Sequence, residues 1–389
     1  MEGSHSFLGP SNSPNSEAAS IIPNQPPNTL YIDCLHTENA RSLNPVTKRG
    51  NASPIHAPEP GDLSIIIIAE AMATQANQPL PDGYQLQNYR IRKVLSCGGF
   101  SIVYLADDEN EVPVAIKEYL PASLALRNRG DALPAIAEEN LAVFRYGMKC
   151  FFEEGKSLAR LAHVNVVRVL NFFRANETVY MVMRYERGRT LQEHIQRHRG
   201  SIKEDFIRRV ITLLLNGLRE VHANKLLHLD IKPANIYIRN DGSPVLIDFG
   251  AARQTLTEQT TQLSPMHTPG YASPEQYRKR ELLGPWSDIY SVGATMYSCL
   301  AAAAPPPADQ RLDKDRYIQA RELWRGKYSD QLLQTIDWCL RLDHLRRPQS
   351  VFALQKVLLR ERDPTASLTS RPSDFRGMVL KLANWRAGR

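Results

Sequence analysis

Several large protein classes are disfavoured by what this chain lacks. Its five cysteines (Cys34, Cys97, Cys150, Cys299 and Cys339) are odd in number, scattered and without a CxxC pair, which argues against a disulfide framework or a zinc site. Long apolar runs are missing as well. The most apolar stretch, residues 65–68, is soon followed by Glu70 and falls far below the roughly 18 residues that span a bilayer. The first thirty residues have no basic start leading into an apolar core, so no secretory signal or transmembrane segment is expected, and a reducing, cytoplasmic setting follows. Internal repeats are absent. Basic and aromatic residues do not interleave, so the net charge of +7 reads as a solvated surface and no nucleic-acid partner is expected.

With 389 residues, 42% of them hydrophobic, the chain can bury a substantial core. Its charge is uneven: residues 1–83 carry 3 Lys/Arg against 8 Asp/Glu, leaving 45 against 33 in the remainder. The first sixty residues are rich in Pro, Ser and Asn, a composition that buries too little apolar surface to offset chain entropy. Residues 1–83 are therefore expected to be a disordered leader, with residues 65–72 as a short helix or edge strand docked on the body. From 84 to about 185 short β-prone runs surround a helical stretch at 144–161, where Phe151, Leu158 and Leu161 recur near helical spacing. From 188 to 360 the pattern is helical, over 191–198, 203–222, 287–301, 316–324 and 329–342. A basic tail, 361–389, holds an amphipathic segment at 374–385 with Phe375, Met378, Val379, Leu382 and Trp385 on one face; docking on the body is favoured there over a partner or membrane surface.

The chemistry concentrates in His228-Leu229-Asp230-Ile231-Lys232-Pro233-Ala234-Asn235, followed by Asp248-Phe249-Gly250. A hydroxyl attacking a terminal phosphate needs an aligning carboxylate, a cation for the moving charge and oxygen ligands for magnesium, and these segments can supply all three. Upstream, Val114-Ala115-Ile116-Lys117 alternates as a strand that sets Ala115 and Lys117 on one face, and Leu95-Ser96-Cys97-Gly98-Gly99-Phe100-Ser101-Ile102-Val103 reads as a glycine-containing turn between strands. Downstream stand Thr268-Pro269-Gly270-Tyr271-Ala272-Ser273-Pro274-Glu275 and Arg346-Arg347-Pro348.

In this order, over about residues 88–355, the segments resemble the protein kinase family, specifically the bacterial serine/threonine kinases of eukaryotic type. The resemblance implies an α+β, bilobal fold, with a small β-rich lobe holding one main helix and a larger helical lobe. It further implies a serine/threonine protein kinase that uses ATP and Mg2+, acts on protein Ser/Thr hydroxyls including its own, and receives regulatory partners through its tails. Asp230 would orient the hydroxyl and Lys232 balance charge. Lys117 would position phosphates, held by a helix carboxylate for which Glu154 fits best and Glu153 competes. Asn235 and Asp248 would carry the metal. The nucleotide would lie against the glycine-rich turn 95–103 and Ala115, with Met183 guarding the back of the pocket and the hinge segment 182–186, Arg184 and Glu186 included, meeting the adenine edge through its backbone.

The turn departs from the family: of glycines expected at 96, 98 and 101 only Gly98 is present, with small serines in the other places. An ATP-binding pseudokinase used as a scaffold is the alternative this supports; a small-molecule kinase is a further one, disfavoured by the segment 268–275. Leu229 replaces the arginine of many regulated kinases, so activity is expected not to need phosphate on Thr255, Thr257, Thr260, Thr261 or Ser264. Glu275 would pair with Arg347, and Asp288 would fasten the catalytic loop. His163 and His228 are expected to support loops rather than act as bases or ligands. The insert 118–143 resembles a bacterial subgroup without a readable role.

Overall fold

The computed structural model describes residues 77–249, 267–278 and 280–359. The expectations for the leader up to residue 76, for the phosphate acceptors at 255–264 and for the tail lie outside these residues. The domain starts earlier than its expected boundary at 84: Asn77 and Leu80 are already buried. The Asn77 amide donates to the carbonyls of Leu120 and Ala125, and the Leu80 N–H donates to the Tyr104 hydroxyl.

Five long strands and one short one build the first lobe: β1 (Gln85–Leu86), β2 (Tyr89–Cys97), β3 (Ser101–Asp107), β4 (Pro113–Tyr119), β5 (Val169–Ala175) and β6 (Thr178–Arg184). They form one antiparallel sheet in the order β1-β2-β3-β4-β6-β5. The first helix, α1 (Glu138–Ala159), fills the chain between β4 and β5. It buries Phe144, Gly147, Phe151, Gly155 and Leu158, an i, i+3, i+4 stripe, and Glu138 and Glu139 in its first turn complement the helix dipole. The helix starts six residues before its expected beginning, and Leu161 lies past its end. A side chain at Gly155 would meet Met181 at 3.3 Å, so glycine there lets α1 lie close against β6.

The second lobe opens with β7 (Gly188–Thr190), α2 (Leu191–Arg197) and α3 (Glu204–Ala223), then β8 (Ile236–Arg239) and β9 (Pro244–Leu246), which join β7 in a small antiparallel sheet. Thr190 caps α2 through its side chain. There follow α4 (Pro274–Arg278), α5 (Pro285–Ala301), α6 (Ala308–Asp313), α7 (Ala320–Leu323), α8 (Asp330–Cys339) and α9 (Val351–Leu358). The helix expected over 316–324 shrinks to α7, because the Tyr317 N–H donates to the Asp315 carboxylate and its hydroxyl to Asp337 rather than entering a helical ladder. α5 is buried on nearly every face, from Ser287 to Leu300, and forms the axis of this lobe. No helix among the described residues is long and apolar enough to cross a membrane.

Candidate active site

Strand β4 delivers Lys117 to the junction between the lobes. Its direct cross-strand neighbours are Val103 and Met181, and those of Ala115 are Leu105 and Met183. Residues directly opposite share a face, so Val103, Ala115, Lys117 and Met183 line one surface. Ile102, expected on the nucleotide side, pairs with Glu118 on the other face and is buried. The alternation of β3 forbids both Ile102 and Val103 from facing the nucleotide. Phe100 also turns inward, edge-on to Tyr119 at 5.2 Å. Gly98 and Gly99 form the exposed tip, whose carbonyl at Gly99 accepts from Ala122 N–H at 2.8 Å. Cys97 is exposed beside them, and desolvation by neighbouring atoms raises its thiol pKa, contrary to a reactive thiolate.

The expected Lys117–Glu154 pair is not the one formed. The Lys117 ammonium, 6% exposed, is ion-paired with the Asp248 carboxylate, and α1 presents to it the Phe151 ring, 5.8 Å away. Glu153 is occupied by Lys156 at 2.9 Å. A nearly buried ammonium requires a counter-charge, and Asp248, in the left-handed region at φ 61, supplies it from the second lobe.

The loop from His228 to Asn235 is pinned from below. Asp288, fully buried on α5, accepts the N–H groups of His228 at 2.9 Å and Leu229 at 2.7 Å, and is 2.8 Å from His222 Nε2. Burial alone would raise its carboxyl pKa, but these bonds and the nearby histidines outweigh it and hold the pKa below the usual value. Leu229 takes the left-handed conformation, φ 62, and its carbonyl accepts from Gln276 at 2.9 Å. His228 is buried between the carbonyl of Ile247, 3.1 Å from Nε2, and the N–H of Asp230, which donates to Nδ1 at 3.3 Å. That pair of contacts assigns the neutral Nε2–H tautomer, and burial lowers the pKa of the ring.

Asp230 thereby points into a polar cluster. Its carboxylate accepts from Lys232 Nζ at 2.9 and 3.2 Å, from Thr268 Oγ1 at 2.8 Å and from Asn235 Nδ2 at 2.9 Å. Lys232 also donates to Thr268 at 2.9 Å. The Asn235 amide nitrogen additionally reaches the Asp230 carbonyl at 2.9 Å, which leaves the amide oxygen as the acceptor of that group. The Asn235 amide oxygen and the Asp248 carboxylate, 31% exposed, are hard donors that fit magnesium. Among the described residues no three His, Cys, Asp or Glu side chains gather as a self-sufficient metal site.

At the hinge, Met183 is half-buried and Arg184 exposed. The Glu186 side chain is committed to Arg239 through two bonds of 2.7 and 2.8 Å, so only its backbone faces a ligand role. Below the site, Glu275 receives a two-pronged Arg347 guanidinium at 2.8 and 2.9 Å and the Ser287 hydroxyl at 2.7 Å, as expected. Gly270 adopts φ 85 against the carbonyl of Pro305, which a side chain would approach to 2.7 Å.

Thus Asp230, Lys232, Asn235, Asp248 and Lys117 come together, whereas Glu154, Ile102 and Phe100 do not join them as expected. Three contributors carried no readable signal in the chain, His222, Gln276 and Arg239, and Phe151 was legible only as part of a helix face. Thr268 belonged to a recognised segment, but its bonds to Asp230 and Lys232 arise only from the fold.

The family model described as the protein kinase domain matches residues 89–359. The serine/threonine-protein kinase PknA of Nostoc sp. is 30% identical over 230 residues, 56% of this chain and 37% of that protein. PknL of Mycobacterium bovis is 32% identical over 246 residues, 61% of this chain and 57% of that protein. The chain therefore spans between about a third and somewhat over half of these relatives. Among solved structures, PpkA-294 in its apo form is 36% identical with a TM-score of 0.65, covering 72% of this chain and 99% of that one. The PknI kinase domain of Mycobacterium tuberculosis, at 21% identity, TM-score 0.52, and coverage of 72% and 98%, shares the fold.

Proposed function

The chain belongs to the protein kinase domain family, and from that premise we propose that it transfers the γ-phosphoryl of Mg-ATP to serine or threonine hydroxyls of proteins, its own included. The observation that carries the proposal is the Asp230 carboxylate held by Lys232, Thr268 and Asn235 at 2.8–3.2 Å. A carboxylate so held, once a substrate hydroxyl displaces one of these donors, orients that hydroxyl and takes its proton, a contribution of about 10²–10⁴ in rate. Lys232 balances the charge on Asp230 and on the group being transferred. Lys117 lies one ion pair from Asp248, so its ammonium can exchange that carboxylate for phosphate oxygens. Magnesium held by Asn235 and Asp248 would neutralise phosphate charge. Ala115, Val103 and Met183 present a smooth apolar face to the adenine, and the hinge backbone at 184–186 its polar edge. The pairing of Lys232 with Thr268 supports serine or threonine as the acceptor.

The test is incubation of the full chain with Mg-ATP, alone and with a generic basic protein, beside Asp248→Asn, followed by phosphosite mapping by mass spectrometry. Phosphoserine or phosphothreonine with the parent only is expected. A folded, ATP-binding parent that transfers nothing would refute the proposal and favour a regulatory scaffold.

A further inference from the structure

A cavity of about 400 Å³ opens on the first lobe, away from Asp230, between α1 and the β5–β6 hairpin. Leu141, Phe144 and Met148 of α1 form one wall, and Ala175 and Thr178 of the hairpin the other. Its size falls in the range of about 300–1,000 Å³ typical of sites that take up apolar groups. The exposed rim residues are Arg145 and Arg174 against a single Glu177, so the mouth is net positive. None of these side chains serves the chemistry above.

The described chain begins beside this cavity. The Asn77 side chain donates to the Leu120 carbonyl at 3.3 Å, and the Thr178 hydroxyl in the cavity wall donates to the carbonyl of the adjacent residue, Tyr119. Asn77 and the wall thus grip neighbouring peptides of one segment. The residues just before Asn77 contain the most apolar run of the chain, Ile65 to Ile68, then Glu70 and Met72. Between Asp62 and Asn77 there are two acidic residues and no Lys or Arg. Five residue steps separate Met72 from Asn77, a reach of up to about 17 Å.

We propose that residues 63–72 of the chain itself dock in this cavity, isoleucines inward and Glu70 towards the arginine rim. Tether, apolarity and charge all select this segment. The amphipathic segment at 374–385 is a poorer occupant: it holds Arg376 and Lys381 against Asp374, the same sign as the rim, and its tether leaves α9, whose end is tied to Arg208 of α3 in the other lobe. Docking would fasten the leader to α1, the helix that presents Phe151 to Lys117.

Hydrogen exchange of the full chain, read by mass spectrometry, tests this without any measure of kinase activity. In the parent, amides of 63–72 are expected to exchange at least about tenfold slower than an unstructured chain. Ile66→Asp with Ile67→Asp should abolish that protection and speed exchange at 141–148 and 174–178, by about tenfold or more for each isoleucine lost from the cavity. Amides of α5 should not change, which controls for folding. The exposed-rim variant Arg145→Glu with Arg174→Glu should also loosen 63–72. Free-chain exchange of 63–72 in the parent, or unaltered cavity segments in the isoleucine variant, would overturn the proposal. So would protection lost on dilution, which assigns a second copy, or cavity deprotection by Phe375→Asp with Met378→Asp, which assigns the tail.

Discussion

Replacing Arg127 by Met should be among the most damaging single changes in the first lobe. Arg127 and Glu118 are both fully buried. The guanidinium donates to the carboxylate at 2.6 and 2.7 Å, to the Tyr104 hydroxyl at 2.9 Å and to the Gln78 carbonyl at 2.8 Å. Burial and the Glu118 charge push the phenol pKa values of Tyr104 and Tyr180 up, so both hydroxyls stay protonated and donate to Glu118 at 2.7 Å. The cluster joins β3, β4 and β6 to the insert and to the entry segment at 77–80. Met fills much of the volume but leaves Glu118 a buried charge with only two neutral donors. Breaking one side of such a pair costs about 3–5 kcal/mol. At roughly 2–4 °C per kcal/mol for domains of 150–250 residues, melting should fall by about 6–20 °C. The double variant Arg127→Met with Glu118→Met removes the stranded charge and should recover at least about 2 kcal/mol of the loss. Urea titration followed by circular dichroism and by tryptophan fluorescence is the assay. All four tryptophans lie at 286 or beyond, so a first-lobe defect should shift the dichroism more than the fluorescence. An Arg127→Met protein within about 1 kcal/mol of the parent, or a double variant as unstable as the single one, would refute the reasoning.

Three further outcomes are expected. Arg347→Lys should lose most of what Arg347→Met loses, about 3–5 kcal/mol, because an ammonium cannot serve both Glu275 oxygens and the Arg341 and Leu342 carbonyls together; thermal melting of the two variants would differ little. Thr268→Val should lower kcat by about 10- to 100-fold, the worth of a bond to a charged group, with KM for ATP unchanged, while Thr268→Ser should restore it; steady-state phosphorylation of a protein substrate decides. The third concerns pH. His228 has a folded pKa below its ordinary 6.5, so below that pH the unfolded chain binds a proton the native ring refuses, and stability falls on acidification. The depressed carboxyls of Glu275 and Asp288, ordinarily 4.5 and 3.8, contribute stability present above those values and lost as pH falls through their folded ones. Melting temperature should therefore drop between pH 6.5 and 5, and His228→Gln should flatten that slope; an unchanged slope counts against the buried neutral ring.

Much of the second lobe and of its candidate site was legible from the chain because local signals agree there. The 3.6-residue periodicity of α3 and α5 set them within two residues of their observed limits. Asp230, Lys232 and Asn235 lie within six residues of one another, so one short loop brings them together. Glu275 and Arg347 were paired through their segments and meet as expected. The shared face of Ala115 and Lys117 followed from the alternation of a strand, and the same rule along β3 allows only one of Ile102 and Val103 to face the nucleotide.

What depended on tertiary structure is what depends on distance and burial. Lys117 can choose among several carboxylates in sequence, and only the approach of the two lobes and the left-handed turn at Asp248 select its partner over Glu154. Arg127 lies in the insert whose role the chain did not reveal, and only folding buries it fully against Glu118, where a charge can persist only if it is paired. The cavity between α1 and the β5–β6 hairpin likewise has no signature along the chain, since its walls come from segments about thirty residues apart. Local pattern and short spacing thus determined which elements form, and the family resemblance marked the candidate residues. Desolvation and long-range packing, which no linear pattern encodes, decided how those residues are paired and held.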